Sequence, residues 1–269
     1  MKRVAFVGIV NVTPDSFSDG GHYFSPADAV ARVHQLREAG ADVIELGADS
    51  TRPGSLCTGP EEEWRRLEPI LRSLEDLSDI SLDTHFAATA QRAIDCGVRC
   101  INDVFPGSDR EMYSLVAQSG VRYVLMHSRC AAPHVFSDPP KTPLKDRVHA
   151  FFEKTLGELS AEGVKREQIV LDPGYGGFVS SDPAESFLLL EEFGELSRYG
   201  LPLCIATSRK GFLKARGEAR IEDRDPASAL TALAAALQSR VDLYVRAHNI
   251  VLHRQFFQHA NLFVNRADF

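Results

Sequence analysis

Val4-Ala5-Phe6-Val7-Gly8-Ile9-Val10, followed at once by Asn11-Val12-Thr13-Pro14-Asp15-Ser16-Phe17-Ser18-Asp19-Gly20-Gly21, is an unbroken apolar run that empties into a polar, glycine-ended loop. An apolar run without polar alternation suits a strand covered on both faces, as a parallel sheet sandwiched by helices requires. Ser25-Pro26 then supplies an N-cap and a first-turn residue, and Ala29, Val33, Leu36 and Ala39 recur at helical spacing up to Gly40. Val43-Ile44-Glu45-Leu46 is the next short apolar segment, so strand, helix and strand complete a βαβ unit.

The alternation continues to the end of the chain. Helices are expected near Glu61 to Leu74, Ala87 to Cys96, Arg110 to Ser119, Leu144 to Glu162, Pro183 to Tyr199, Pro226 to Arg240 and Val251 to Leu262. Strands are expected at Ile80 to Leu82, Cys100 to Ile101, Tyr123 to Met126, Ile169 to Leu171, Leu203 to Ala206 and Leu243 to Val245. The count, about eight strands and eight helices, matches a closed (β/α)8 TIM barrel better than an open doubly wound sheet. No G-x-G-x-x-G follows the first strand, which argues against a dinucleotide-binding sheet. A single α/β domain over residues 1–269 is expected, with Ser128 to Thr142, which carries Pro133, Pro139 and Pro140, as a long irregular loop over the barrel mouth.

Of the 269 residues, 44% are hydrophobic and 25% charged, and the net charge is -7. An acidic balance without a Lys/Arg run argues against nucleic-acid binding, and an anionic ligand must therefore meet a local basic cluster. Five cysteines, an odd number without a C-x-x-C pair, point to reduced thiols rather than disulfides and make a structural zinc site a poor reading. No apolar stretch has the length of a membrane span, and the first run is too short for a secretory leader, so a cytoplasmic location is expected.

In a barrel of this kind the loops after the strands converge on one face. Asp49 to Gly54, Leu82-Asp83-Thr84, Asn102-Asp103, Leu171-Asp172-Pro173-Gly174, Ser208-Arg209-Lys210 and Arg246-Ala247-His248 each follow a short apolar run and fall on that face. Asp83, Asn102 and Asp172 combine acceptors with an amide that both gives and receives, the mixture an aminopyrimidinone edge needs. The competing reading of each is local: Asp83 or Asn102 capping the next helix, Asp172 closing a turn. Arg52, Lys210, Arg246 and His248 form a second, basic group suited to an anion, whereas Arg209 fits a structural ion pair equally well.

These motifs resemble the dihydropteroate synthase family of pterin-binding barrels. VGIVNVTPDSFSDGG, DSTRPG, SLDT, NDV, VLMH, LDPG, TSRKGFL and VRAH occur in the family's order between Gly8 and His248. The resemblance implies condensation of 6-hydroxymethyl-7,8-dihydropterin pyrophosphate with p-aminobenzoate, with Mg²⁺ and release of pyrophosphate. It also implies pterin contacts from Asp83, Asn102, Met126, Asp172, Lys210 and Arg246, the last three with Asp83 forming the catalytic group. Asn11, Arg52, Arg246 and His248 are then expected at the pyrophosphate, with Asn11 also on the magnesium, and Phe17, Thr51, Pro53, Phe178 and Ser208 at the p-aminobenzoate. Family members tend to dimerise through the later helices, so a homodimer is expected.

Departures cluster after Asp172-Pro173-Gly174, where Tyr175-Gly176-Gly177-Phe178-Val179-Ser180-Ser181 replaces the usual run and resembles the sulfonamide-insensitive branch. A methyltetrahydrofolate:corrinoid methyltransferase shares the barrel but has no use for TPDSFSDGG, STRPG and SRK. A catalytically silent pterin-binding relative is the alternative of another class.

Overall fold

Strands whose two faces are both apolar have to be covered twice, and closure into a ring with helices outside achieves this without leaving an edge. The structure, a computed structural model, describes residues 2–13, 25–49, 58–132, 135–136, 142–214, 218 and 220–260. Its strands are β1 (Val4–Asn11), β2 (Val43–Gly47), β3 (Ile80–Asp83), β4 (Cys100–Asp103), β5 (Arg122–Met126), β6 (Cys130–Ala132), β7 (Val135–Phe136), β8 (Ile169–Asp172), β9 (Leu203–Ile205) and β10 (Leu243–Ala247). The barrel closes in the order β1-β10-β9-β8-β5-β4-β3-β2, and each pair is parallel. This is the (β/α)8 ring expected from the alternation.

The helices are α1 (Pro26–Glu38), α2 (Pro60–Ser73), α3 (Ala87–Cys96), α4 (Glu111–Ser119), α5 (Leu144–Ala161), α6 (Pro183–Glu191), α7 (Asp225–Gln238) and α8 (Ile250–His259). Ser25 caps α1 as its sequence suggests: its hydroxyl accepts from Asp28 N, and the Asp28 carboxylate accepts from Ser25 N, both at 3.2 Å. Ala29, Val33 and Leu36 are the buried stripe of that helix. The outer core, where helices meet the barrel wall, includes Phe6, Leu46, Leu82, Ile101, Leu171 and Val245, each fully buried.

Two expectations need correction. The single helix expected from Pro183 to Tyr199 breaks after Glu191, and Phe193–Tyr199 is a 3-10 turn. Gln238 causes the break: its amide nitrogen donates to Leu190 O at 2.9 Å and its oxygen accepts from Gly194 N at 3.3 Å, replacing helical partners. The stretch expected to be irregular over the mouth contains a short antiparallel hairpin, β6 paired with β7. It is tied to the neighbouring loop by Arg129, whose N and Nε donate to Phe178 O and Gly177 O, both at 2.8 Å.

Inside the ring, Val7, Val43, Cys100, Val170, Cys204 and Tyr244 belong to a separate buried cluster. Arg122 lies over the Tyr244 ring at 5.7 Å and donates to its hydroxyl, so the N-terminal end of the barrel is filled by packed side chains. Most of the inward polar groups stand above this plug.

Candidate functional site

Strand alternation brings the polar group together. Two residues beyond Val43, Cys100, Val124, Val170 and Tyr244 on the same strand faces stand Glu45, Asn102, Met126, Asp172 and Arg246. Asp83 occupies the corresponding place on β3, opposite Gly47 and Asn102 in the register.

Arg246 is clamped by two carboxylates. Its Nε donates to Glu45 Oε1, and its Nη2 ion-pairs with Glu45 and donates to Asp83 Oδ2 at 3.1 Å. Burial alone lowers the affinity of this guanidinium for its proton, but Glu45 and Asp83 more than reverse that, so Arg246 stays charged. Asp83 is 14% exposed, and burial together with the Glu45 charge pushes it well above the usual carboxylate range despite Arg246. Neither Asp83 nor Asn102 caps the helix that follows it, since the α3 N-cap is Phe86 and the α4 N-cap is Arg110, each without a side-chain cap bond.

Asn102 is buried and donates from Nδ2 to Glu45 Oε2 at 3.1 Å. Its Oδ1 is also buried and has no partner. A buried unpaired amide oxygen carries a desolvation cost unless something else donates to it.

Asp172 is buried at the end of β8, and its Oδ1 accepts from Gly174 N at 2.8 Å, so the turn role and the inward position coexist. Burial raises its pKa; the Gly174 bond and then the Lys210 charge oppose this. Gly174 has φ +71, and a Cβ there would lie 2.3 Å from His127 O, so only glycine fits beside β5. Lys210 donates to Tyr175 O at 3.0 Å and stands 4.7 Å above the Phe178 ring. Burial lowers its pKa to about 8, with Asp172 as the largest opposing charge. Met126 packs with Val104, Phe105 and Phe178 into an apolar wall beside these groups. Phe178, expected with the p-aminobenzoate group, thus stands with Met126 and Lys210.

His248, expected with the basic group, is buried beside arginines, which disfavours its charged form. Burial and the charges of Arg209 and Arg246 push its pKa well below the usual value. Its Nδ1 shares a 2.9 Å hydrogen bond with Ser208 Oγ, which also accepts from His248 N at 3.1 Å. Arg209 is structural: Nε and Nη2 grip Asp225 at 2.8 and 3.0 Å. With φ 58, Arg209 turns the chain so that Ser208 and Lys210 can serve different parts of the mouth.

Asn11 lies at the end of β1 opposite Gly47, whose other register partner is Asp83. Phe17, Thr51, Arg52 and Pro53 lie outside the described residues. Glu45 was not among the residues singled out from the sequence, because within Val43-Ile44-Glu45-Leu46 it reads as one polar residue in a strand. A charge inside an apolar run is the signal that marks it.

The family profile described as "Pterin binding enzyme" matches residues 7–248. The chain belongs to that family. It is 38% identical over 247 residues to dihydropteroate synthase type-3 of Escherichia coli, covering 90% of this chain and 93% of that protein. Dihydropteroate synthase of Xanthomonas albilineans, solved with 4-aminobenzoic acid, superposes with a TM-score of 0.86 at 31% identity, covering 96% of this chain and 92% of that one. The enzyme of Anaplasma phagocytophilum, solved with 6-hydroxymethylpterin-monophosphate, gives 0.82 at 34% identity, covering 97% and 99%. As a pterin-binding barrel, the chain keeps its acceptors, its clamped arginine and its half-desolvated lysine at one mouth.

Proposed function

We propose that this protein is a dihydropteroate synthase, joining 6-hydroxymethyl-7,8-dihydropterin pyrophosphate to p-aminobenzoate with release of pyrophosphate. The observation that carries this reading is the inward cluster of Asn102, with its unpaired oxygen, beside Asp83 and Asp172 and facing Lys210 and Arg246. Acceptors along one edge suit the amino and ring N–H groups of a pterin, while Lys210 suits its carbonyl side. Met126 and the guanidinium of Arg246 are placed to lie against the ring faces.

The reaction breaks the C–O bond between the exocyclic methylene and the diphosphate, the electron pair leaving with the diphosphate. The arylamine nitrogen then forms the C–N bond and loses a proton. Asp83 and Asp172 favour the positive charge that the pterin spreads from its methylene during this step. We assign Arg246 and His248 to the departing diphosphate and Ser208 and Phe178 to the arylamine; the family resemblance adds Arg52 to the first group and Phe17, Thr51 and Pro53 to the second, all four outside the described residues.

Among the described residues no three His, Cys, Asp or Glu side chains gather to hold a metal ion by themselves. The amide oxygen of Asn11, at the end of β1, is a hard donor that would suit Mg²⁺, and the ion would there supply neutralising charge to the leaving group.

We also infer a homodimer built on α6, α7 and α8, because Phe187, Leu188, Leu230, Leu237 and Val251 expose 44–66% of their surface on these helices. A cytoplasmic location is consistent with the free thiols of Cys96, Cys100 and Cys204. The deciding experiment gives purified protein the pterin pyrophosphate, p-aminobenzoate and Mg²⁺ and follows pyrophosphate. Release that depends on p-aminobenzoate supports the reading; pterin binding without release leaves a silent relative. Light scattering tests the dimer.

A further inference from the structure

We propose that Glu45 is a positioning residue that fixes the polarity of the Asn102 amide, so that the site selects a heterocycle edge that donates hydrogen bonds over one that accepts them. The inference rests on the pterin-binding reading of the mouth and adds a determinant of what that mouth accepts.

An asparagine amide presents either its oxygen or its nitrogen to a ligand, and a half-turn exchanges them at no covalent cost. Here the choice is made from behind. Glu45 receives the Arg246 guanidinium on Oε1 and the Asn102 Nδ2 on Oε2 at 3.1 Å. Reversing the amide would set Oδ1 against a carboxylate oxygen at hydrogen-bond distance, two acceptors with no proton between them. The guanidinium keeps Glu45 in its role as acceptor and stops its carboxylate from rotating away.

The consequence is the buried, unpaired Oδ1 of Asn102. Asn102 shares its strand face with Cys100, a member of the cluster inside the barrel, so the free oxygen belongs to the interior above the plug. Asp83, its register neighbour, adds further acceptor oxygen at the same level. A ligand that brings an amino group satisfies this oxygen; one that brings a carbonyl to the same place leaves two oxygens facing each other. Discrimination against a group that leaves buried polar atoms unpaired is larger than discrimination by size alone.

Binding of 6-hydroxymethylpterin and of its 2-oxo counterpart, 6-hydroxymethyllumazine, tests this by calorimetry on wild type, Glu45→Gln, Glu45→Asp and Asn102→Ala. Wild type is expected to favour the pterin by roughly ten- to a hundredfold. Glu45→Gln, which can donate to a reversed amide, is expected to remove most of that ratio, while Glu45→Asp retains it. Asn102→Ala is expected to lose it whatever stands at 45. Equal weakening of both ligands in Glu45→Gln, with the ratio intact, overturns the proposal, as does a retained ratio in Asn102→Ala. If Glu45→Gln does not fold, the Asn102→Ala ratio decides by itself. Wild type that binds neither ligand removes the pterin reading instead.

Discussion

Arg246 Nη2 lies 3.1 Å from Asp83 Oδ2 while its Nε is held by Glu45, so a single guanidinium balances two inward carboxylates contributed by β2 and β3. Removing it leaves both carboxyl groups without their shared donor in a largely desolvated place. Arg246→Ala is expected to cost about 3 kcal/mol of stability in urea titration, besides abolishing turnover. Combining it with Glu45→Gln should recover part of that loss. No recovery would mean that the arginine packs rather than compensates charge.

Asp172→Asn separates charge from geometry. The asparagine oxygen can still accept from Gly174 N, so the turn and the circular dichroism spectrum should persist. Turnover is expected to fall by about a hundredfold or more if the carboxylate stabilises positive charge on the pterin. A near-normal rate would reduce Asp172 to a turn residue.

Gly174→Ala tests the close approach of the β8 loop to β5. The substitution combines φ +71 with a Cβ 2.3 Å from His127 O, a clash with backbone that no side-chain rotation relieves. A loss of about 2 kcal/mol or more is expected, read from the denaturation midpoint. Because the same turn positions Asp172, the KM for the pterin substrate should rise as well.

Lys210 carries its charge only below about pH 8. Affinity for 6-hydroxymethylpterin is therefore expected to fall as pH rises through about 8, and Lys210→Arg, which stays charged, should flatten that profile even if it binds less well. A wild-type profile flat from pH 7 to 9, as titration of the ligand itself is held constant, would take the ammonium out of recognition.

Glu63 on α2 is fully buried, and its Oε2 accepts from Thr84 Oγ1 at 2.7 Å, next to Asp83 at the end of β3. Burial raises its pKa from 4.5 to about 7. The folded value lies above the unfolded one, so the neutral carboxyl contributes stability that is complete below about pH 4.5 and lost as pH rises through about 7. Glu63→Gln should narrow the difference in unfolding free energy between pH 5 and pH 8.5 by up to about 3 kcal/mol. Identical pH dependence in the two proteins would contradict the buried neutral form.

The ring and the strand-end positions of Asp83, Asn102, Asp172 and Arg246 were legible because short apolar runs that end in polar residues are local signals. Glu45 was not, because its partner Arg246 is 201 residues away and nothing around Glu45 reports which strands will flank it. The break after Glu191 was hidden for the same reason: Gln238 acts across 48 residues on a segment whose own pattern is helical. The β6–β7 hairpin escaped because its strands are too short for alternation to register, and the prolines nearby read as irregular chain. The lowered pKa of His248 follows first from its burial and then from the charges of Arg209 and Arg246, and burial is not written in Arg246-Ala247-His248.

The filled N-terminal end of the barrel, where Arg122 caps Tyr244, turns the interior into a blind well. Among the described residues the route to Asn102 and Asp172 is thus from the side where the strands end, and depth along that route becomes a coordinate of recognition: the deeper a group of the ligand travels, the drier the partners it meets.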